Sequence, residues 1–405
     1  MMIFTLAWRN LWRQRRRTTF GLTAVAVTTA VVVFLPSLQA GSYASMIKAY
    51  LGLLDGYAQV QTPEYLDTPA MRESFEISAP LRETLDELPA GVGVSERGIA
   101  YVLLSSGARS LGAQVIGAAP HAEPLVSTLP TDLVAGVYLE RDDQIVLGET
   151  LARNLQVALG DTVTLMGVGR DGSLAADVLT VAGLFGSGMP DLDRQLAAIS
   201  LDRFDETFAM DGFRHAVVLG NSSSPADRRA VERLVPTAME QGLAVRDWPE
   251  LQPGLYAAIE LDVTAAMLPY LVLVSVVVLS LLNTILMSVL ERTREFGMLL
   301  ALGLRPELLS RIVWAETGVI ALLGVSIGML GGALLTTWLA RTGVDFQSVQ
   351  AVFERYGMSS TIYPELTPLT LFAGPAVIAA ALIAVGSLPA LRVAKLNILE
   401  AMRGT

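Results

Sequence analysis

The chain has 405 residues, of which 52% are hydrophobic and only 17% charged, and it carries a net charge of −10. Soluble domains have an apolar share of roughly 45–50% with glycine already counted, so a mean hydropathy of +0.49 excludes an ordinary soluble fold. The absence of cysteine excludes disulfides, thiolate metal sites, cysteine nucleophiles and a lipidated amino-terminal cysteine.

In chain order, a basic leader (residues 1–17) comes first, with Arg9, Arg13, Arg15, Arg16 and Arg17 and no acid. It precedes an apolar stretch over residues 18–40, long enough for a bilayer, which needs about 20 such residues. A cleaved signal peptide is the alternative. The stretch exceeds the usual apolar core of roughly 7–15 residues and no small-x-small site follows it cleanly, so a retained span is expected.

Residues 41–262 read as a mixed α/β domain. Tyr57 to Gln61 (YAQVQ) alternates as a strand does, and IAYVLLSS and AQVIGAA are β-branched runs separated by glycine turns. QIVLGETLARNLQVALGDTVTLMGV predicts strand, helix, turn and strand, the helix placing Leu151, Leu155, Ala158 and Leu159 on one face. DVLTVAGLF is a further strand, and SPADRRAVERLVPTAMEQGL a helix with Ser224 as its cap before Pro225. No catalytic constellation is present. His121 and His215 lack a ligand partner at metal-binding spacing, and lone histidines of this kind are ordinarily surface or satisfied core residues. Asp142–Asp143 and Asp191/Asp193 could hold a cation but fit solvated turns better. Residues 41–265 hold 15 basic and 31 acidic residues, which disfavours nucleic acid as a partner.

Three more charge-poor stretches follow, over residues 263–290, 311–340 and 367–391, the second broken, beyond Arg311 at its edge, only by Glu316. The first of these would make roughly 42 Å of helix against a hydrocarbon core of about 30 Å. It either tilts or projects outward as a stalk. Four crossings, with arginines crowding the leader, the 291–310 loop and the 392–405 tail, put both termini and that loop in the cytoplasm. The large acidic domain and a second loop (341–366) then lie outside.

The loop opens with ERTREFGMLLALG, Glu291 to Gly303. Phe296, Leu299, Leu300 and Gly303 share one helical face, while Met298, Ala301 and Leu302 make the other side apolar too. Such a helix must be buried, either in the lipid interface or against a cytoplasmic protein. The next helix starts at Pro306, with Glu307 at its positive end. Lys48 and Lys395 are the only lysines, preceded by Ile47 and Ala394. Neither forms the Gly-Lys-Ser/Thr of a phosphate-binding loop. Within the spans, Gly324, Gly328 and Gly332 form a small-residue stripe suited to close helix approach, inside one subunit or between two. Asn283 and Glu316 are intramembrane polar residues. Glu316 lies near the cytoplasmic side, where Asn283, Ser288 or Thr293 could bond it.

ERTREFGMLLALG resembles the signature of FtsX-domain ABC transporter permeases of the MacB and lipoprotein-releasing (LolC/LolE-like) type. SLPALRVAKLNILEAMR resembles the same family's ending, and LAWRNLWRQRRRTT its opening. IVLGETLARNLQVALGDTVTL and VAGLFGSGMPDLDRQLAAISLDRF are similar to its periplasmic domain. The resemblance implies a MacB-type periplasmic core domain on four transmembrane helices in a bacterial inner membrane. It further implies two permeases, identical or paralogous, around two copies of a separate cytoplasmic ABC ATPase that binds Mg-ATP, with no cofactor in this chain. Glu291, Arg292, Arg294, Glu295, Phe296, Gly297, Leu300 and Gly303 would be the ATPase-coupling positions, with Phe296 where the family more often has an aliphatic residue. The activity implied is transmission of ATPase motion to the outer domain for lipoprotein release or extraction of an amphipathic substrate. MacB-like efflux of peptide, antibiotic or haem through an adaptor, and FtsX-like regulation of a cell-wall hydrolase, are the alternatives.

Overall fold

The computed structural model describes Arg13 and residues 15–89, 91–220, 225–345 and 361–394. The leader up to Trp12, the cap expected at Ser224, most of the 341–366 loop and the tail beyond Ala394 lie outside the described residues. The chain divides into two compact units, an α/β unit over Ser45–Ala258 and a helical unit that includes Ile259–Asp345.

Among the described residues, the helices long and apolar enough to cross a membrane are Thr18–Asp55, Pro253–Glu291, Pro306–Thr342 and Pro368–Leu391. They are the four expected, in the expected order, but the first two are longer than hydropathy alone indicates. The first-span helix continues from Ala40 to Tyr50 and ends in a π-helical turn, Leu51–Asp55. The second starts at Pro253 rather than Val263 and runs 39 residues, or roughly 58 Å. An apolar count registers only the part of a helix that suits lipid, whereas backbone hydrogen bonding carries on into polar sequence.

Within the helical unit, Val25 and Val32 of the first span pack with Leu281 and Ile285 of the second, Val313 and Ile320 of the third, and Ile378 and Leu382 of the fourth. Small residues set the spacing. A Cβ added at Gly328 would sit 2.3 Å from the carbonyl oxygen of Ala26, and one at Gly332 2.9 Å from that of Ala30. Gly324 abuts Val25 in the same way. The glycine stripe therefore packs against the first-span helix of its own chain. Buried Thr29, Ser37, Thr317 and Thr336 return their hydroxyls to carbonyls four residues back, and Ser37 Oγ also lies 3.1 Å from Thr370 Oγ1 of the fourth-span helix. Asp262 of the second-span helix accepts hydrogen bonds from Tyr43 Oη (2.6 Å) and Gln39 Nε2 (3.0 Å) of the first, and Tyr270 Oη donates to Gln39 Oε1 at 3.2 Å.

The α/β unit is built on strands β1 (Ala58–Gln61), β2 (Phe75–Glu76), β3 (Gly93–Ser106), β4 (Arg109–Ala118), β5 (Leu133–Gly136) and β6 (Gln144–Gly148). They are followed by β7 (Thr162–Val168), β8 (Leu174–Phe185), β9 (Leu196–Ser200), β10 (Phe213–Arg214), β11 (Ala216–Gly220) and β12 (Ala244–Asp247). The pairings β3–β4, β4–β9, β9–β6, β6–β8, β8–β7 and β7–β3 close a ring. Alternation along β3 sends Val102 and Leu104 inward, where they meet Val115, Ile145, Leu165, Leu179 and Ile199. Two helices seal this barrel with Leu151 and Leu155 (helix Glu149–Leu155) and Phe204 and Phe208 (helix Leu201–Phe208). The second is capped by Ser200, whose Oγ accepts from Arg203 N at 3.1 Å. The other half of β3 continues through β11, β1 and β12 into a flatter sheet, covered by Leu81 and Leu85 from helix Ala79–Asp86 and Val231 and Leu234 from helix Pro225–Glu240.

One predicted element ends early. The helix after β6 stops at Leu155 because Gln156 takes a left-handed conformation, φ 59°. Ala158 and Leu159 fall in the following turn, where Ala158 N donates to Asp161 Oδ2 at 2.8 Å, and Leu159 is exposed.

Candidate docking site

The loop between the second and third spans folds as expected into a short helix, Thr293–Ala301. It ends at Gly303, whose φ of +93° is a left-handed conformation that glycine adopts without steric cost. Gly303 N then donates to Leu300 O at 3.0 Å and Leu304 N to Leu299 O at 3.1 Å, closing carbonyls that the helix end leaves open. The turn delivers the chain to Pro306, the first residue of the third-span helix.

This helix is not apolar all round in its surroundings; it has two different sides. Phe296, Gly297 and Leu300 are buried, and Phe296 and Leu300 join the core of the helical unit. Met298 (52% exposed) and Leu302 (80% exposed) point away from it. Leu299 is also exposed, as are Glu291 and Arg294. The eight positions expected to dock a partner are thus split. Arg292, Glu295, Phe296, Gly297 and Leu300 turn inward or bind their own chain, Gly303 shapes the turn, and Glu291 and Arg294 remain on the outer surface.

A ladder of alternating charge fixes the inward side. Arg13 Nη2 meets Glu295 Oε1 at 2.7 Å and Oε2 at 2.9 Å. Glu295 Oε2 lies 3.6 Å from Arg292 Nε, and Arg292 Nη1 lies 3.2 Å from Glu316 Oε1. The Arg292 guanidinium also stands over the Phe296 ring, 5.1 Å from its centroid. Both Arg292 and Glu316 side chains are largely shielded from solvent, which strengthens their attraction relative to a surface pair. Glu316 is therefore met by an arginine from the loop between the second and third spans. Thr293, one of the partners considered for it, bonds Val289 O and Leu290 O of its own helix instead. Asn283 lies on the exposed face of the second-span helix. Sequence reasoning missed Arg13 as a partner because it is 282 positions from Glu295. Of the helix's apolar residues, Phe296 and Leu300 are buried while Met298 and Leu302 are exposed, a division the sequence does not show because periodicity reveals that a helix has faces but not which face its own protein covers.

Elsewhere, His215 is a satisfied core residue. Its Nδ1 accepts from Ile99 N at 3.1 Å, its Nε2 lies 3.3 Å from Met71 O, and it packs between Tyr65 and Phe204. Burial lowers its pKa to about 4. His121, Asp142 and Asp143 are exposed. Asp193 departs from the expected solvated turn. It is buried and accepts from Ser187 N (3.0 Å) and Ser187 Oγ (2.6 Å), and burial raises its pKa. The aspartate pins the GSGMPD loop by hydrogen bonding rather than waiting for a cation.

Comparison with known proteins agrees with the resemblance drawn from the loop and the closing segment. Residues 19–238, over half the chain, match the MacB-like periplasmic core domain. Residues 267–398 match the FtsX-like permease C-terminal domain. The transmembrane protein LolC of the lipoprotein-releasing system from Xylella fastidiosa (strain Temecula1 / ATCC 700964) is 25% identical over 232 residues, covering 55% of this chain and 54% of that one. LolC from Neisseria meningitidis serogroup B is 24% identical over 173 residues, 43% of this chain and 42% of that one. The chain thus spans about half, or less, of the length of the curated relatives it matches. Among solved structures, the periplasmic region of MacB from Actinobacillus actinomycetemcomitans is 13% identical with a TM-score of 0.36, covering 51% of this chain and 94% of that one. The extracellular domain of the ABC-type transporter YknZ from Gram-positive bacteria is 14% identical with a TM-score of 0.35, covering 47% and 98%. By its core domain and its carboxy-terminal domain together, the chain belongs to the MacB-like family of FtsX-domain permeases.

Proposed function

We propose that the protein is the membrane subunit of an ATP-driven machine, docking a separate cytoplasmic ABC ATPase through the outer side of helix Thr293–Ala301 and passing its motion to the α/β domain. The observation that carries this reading is the two-sided helix. Met298, Leu299 and Leu302 form an exposed apolar ridge flanked by Glu291 and Arg294, while its other side is locked to the spans by Phe296, Leu300 and the Arg13–Glu295–Arg292–Glu316 ladder. A lever needs both a surface for the motor and a rigid joint to the arm. The basic residues around this loop favour its cytoplasmic placement, with the acidic α/β domain on the far side. Two ATPases and a second permease, identical or paralogous, complete the assembly, and Mg-ATP is held by the ATPase. The naming of the LolC relatives favours lipoprotein release, or extraction of another amphipathic molecule, over efflux through an adaptor.

Co-purification of the permease with its cytoplasmic ABC ATPase from cells tests the docking. Met298→Asp and Leu302→Asp, which put charge on the ridge without touching the core, are expected to reduce the bound ATPase at least tenfold while the permease stays in the membrane. Glu295→Ala and Gly297→Asp, which disturb the joint, are expected to weaken association less directly. Undiminished association in the two ridge variants would sink the reading. Cross-linking from the α/β domain in cells identifies the cargo.

A further inference from the structure

The α/β unit holds a cavity of about 880 Å³, within the range of roughly 300–1,000 Å³ that small-molecule sites occupy. One wall comes from the π-helical turn that ends the first-span helix, through Leu54 and Asp55; Gln252, just ahead of the second-span helix, stands beside them. The opposite wall is the loop and short helix before β9, with Met189, Leu192 and Arg194. The lining is apolar at Leu54, Met189 and Leu192, with polar groups at defined points. Gln252 Nε2 donates to Asp55 Oδ2 at 2.5 Å.

The charged groups around the cavity are partnered unequally. Behind the wall, Arg97 and Glu123 are fully buried and paired, Arg97 also donates to Leu54 O, and Ser95 Oγ donates to Glu123 Oε2 at 3.1 Å. That guanidinium is thus already engaged by a carboxylate. At the rim, Arg194 lies 3.7 Å from Asp191. Among the described residues no basic side chain stands within salt-bridge distance of Asp55. A carboxylate withdrawn from water is stable only with a partner, and a neutral amide hydrogen bond compensates it in part. Burial raises the Asp55 pKa, while the Gln252 hydrogen bond and the more distant Arg97 charge act in the opposite direction, so the cavity presents a carboxyl group without a salt-bridge partner beside an apolar wall.

We propose that this cavity binds the cationic head of an amphiphile, an alkylammonium group, with Asp55 as its counter-ion, Gln252 orienting the carboxylate, and the alkyl part against Leu54, Met189 and Leu192. An inorganic cation would leave the apolar wall unused, and an anion would face Asp55. The assignment rests on the permease reading only in identifying such an amphiphile as cargo.

The test is titration of the full chain in phosphatidylcholine nanodiscs with decyltrimethylammonium, empty nanodiscs being subtracted. Saturable binding is expected, weakened at least tenfold by Asp55→Asn, which keeps an acceptor for Gln252, and by Leu192→Trp, which fills the cavity from the other wall. Thermal unfolding of both variants checks that they fold. Decyl sulfate is expected not to saturate, and sodium or calcium at equal concentration not to displace the ammonium. Absent binding, binding that survives either substitution, equal binding of decyl sulfate, or displacement by the inorganic cations overturns the proposal. Because no ATPase is present, such a failure is distinct from failure of the docking reading, which is scored by co-purification.

Discussion

The two units fill their interiors in opposite ways. The barrel of the α/β unit interdigitates large side chains: a Cβ on Gly98 or Gly117 would run 2.3 Å from atoms of Phe204, so glycines there make room for an aromatic ring. In the helical unit the glycines make room for backbone, with Gly324, Gly328 and Gly332 letting the first- and third-span helices approach closely. Water drives the first kind of core, since apolar burial is favourable at about 25 cal/mol per Å². Lipid offers no such gain, so helices in it rely on contact geometry. The units also differ in their charges. The α/β unit buries an ion pair completely, at Arg97 and Glu123, whereas the helical unit keeps its ladder at one end of the spans, partly open.

That contrast ranks the substitutions that would break each unit. The largest loss is expected from Arg97→Met, which leaves Glu123 buried without its cation at a cost of about 4 kcal/mol. Replacing both partners by apolar residues of similar volume should recover most of that loss, measured by denaturant unfolding of the full chain. A double variant as unstable as the single one would show that the pair is more than a mutual compensation. Next, Gly328→Val in the helical unit drives a side chain into the Ala26 carbonyl. A backbone clash of this kind costs about 3 kcal/mol, the upper end of overpacking penalties. Gly331, whose added Cβ would meet nothing within 4 Å, serves as the control. Thermal unfolding should separate the two, and equal behaviour would mean that the stripe does not set the helix spacing.

A smaller effect, and one that depends on pH, belongs to His215. Burial holds its pKa at about 4, with Arg170 and Arg214 acting in the same direction and the bond to Met71 O opposing. The unfolded imidazole titrates near 6.5. The folded pKa is therefore the lower one, so stability is complete above about 6.5 and falls as pH drops from there toward about 4. At one pKa unit per 1.36 kcal/mol the loss is about 3 kcal/mol at most. Asp55, Asp193 and half-buried Asp205 have raised pKa values and Asp171 and Asp177 lowered ones, so the total profile mixes signs. The difference between wild type and His215→Gln isolates the histidine, because glutamine can accept from Ile99 N and donate to Met71 O. A difference curve flat between pH 6.5 and 4 would remove the histidine from the acid response.

What could be read from the sequence was whatever repeats locally. IAYVLLSS, AQVIGAA and DVLTVAGLF alternate because one side of each faces a core, and they are β3, β4 and β8. The four spans were legible because apolar length has few other uses. Closure of the barrel was not, since β7 pairs with β3 across a separation of some 60 residues and no local pattern encodes it. The premature helix end at Gln156 escaped too, because a left-handed glutamine is settled by the Asp161 turn beyond it. At helix Thr293–Ala301 the motif located the element, and only packing could tell its buried face from its exposed one.

The smallest expected effect concerns the ladder, and it sharpens the comparison most. Arg13 and Glu295 are 60% and 44% exposed, and pairs open to solvent contribute less than about 1 kcal/mol. Arg13→Ala should thus barely change the unfolding of the helical unit, unlike Arg97→Met in the α/β unit, even though both remove an arginine from a carboxylate. A double-mutant cycle of Arg13→Ala with Glu295→Ala measures the coupling directly. A value under about 1 kcal/mol that shrinks further in high salt is expected, since exposed charges are screened. A coupling of several kcal/mol that salt leaves untouched would mean that the pair is sheltered in the membrane, and the two units would then treat charge alike.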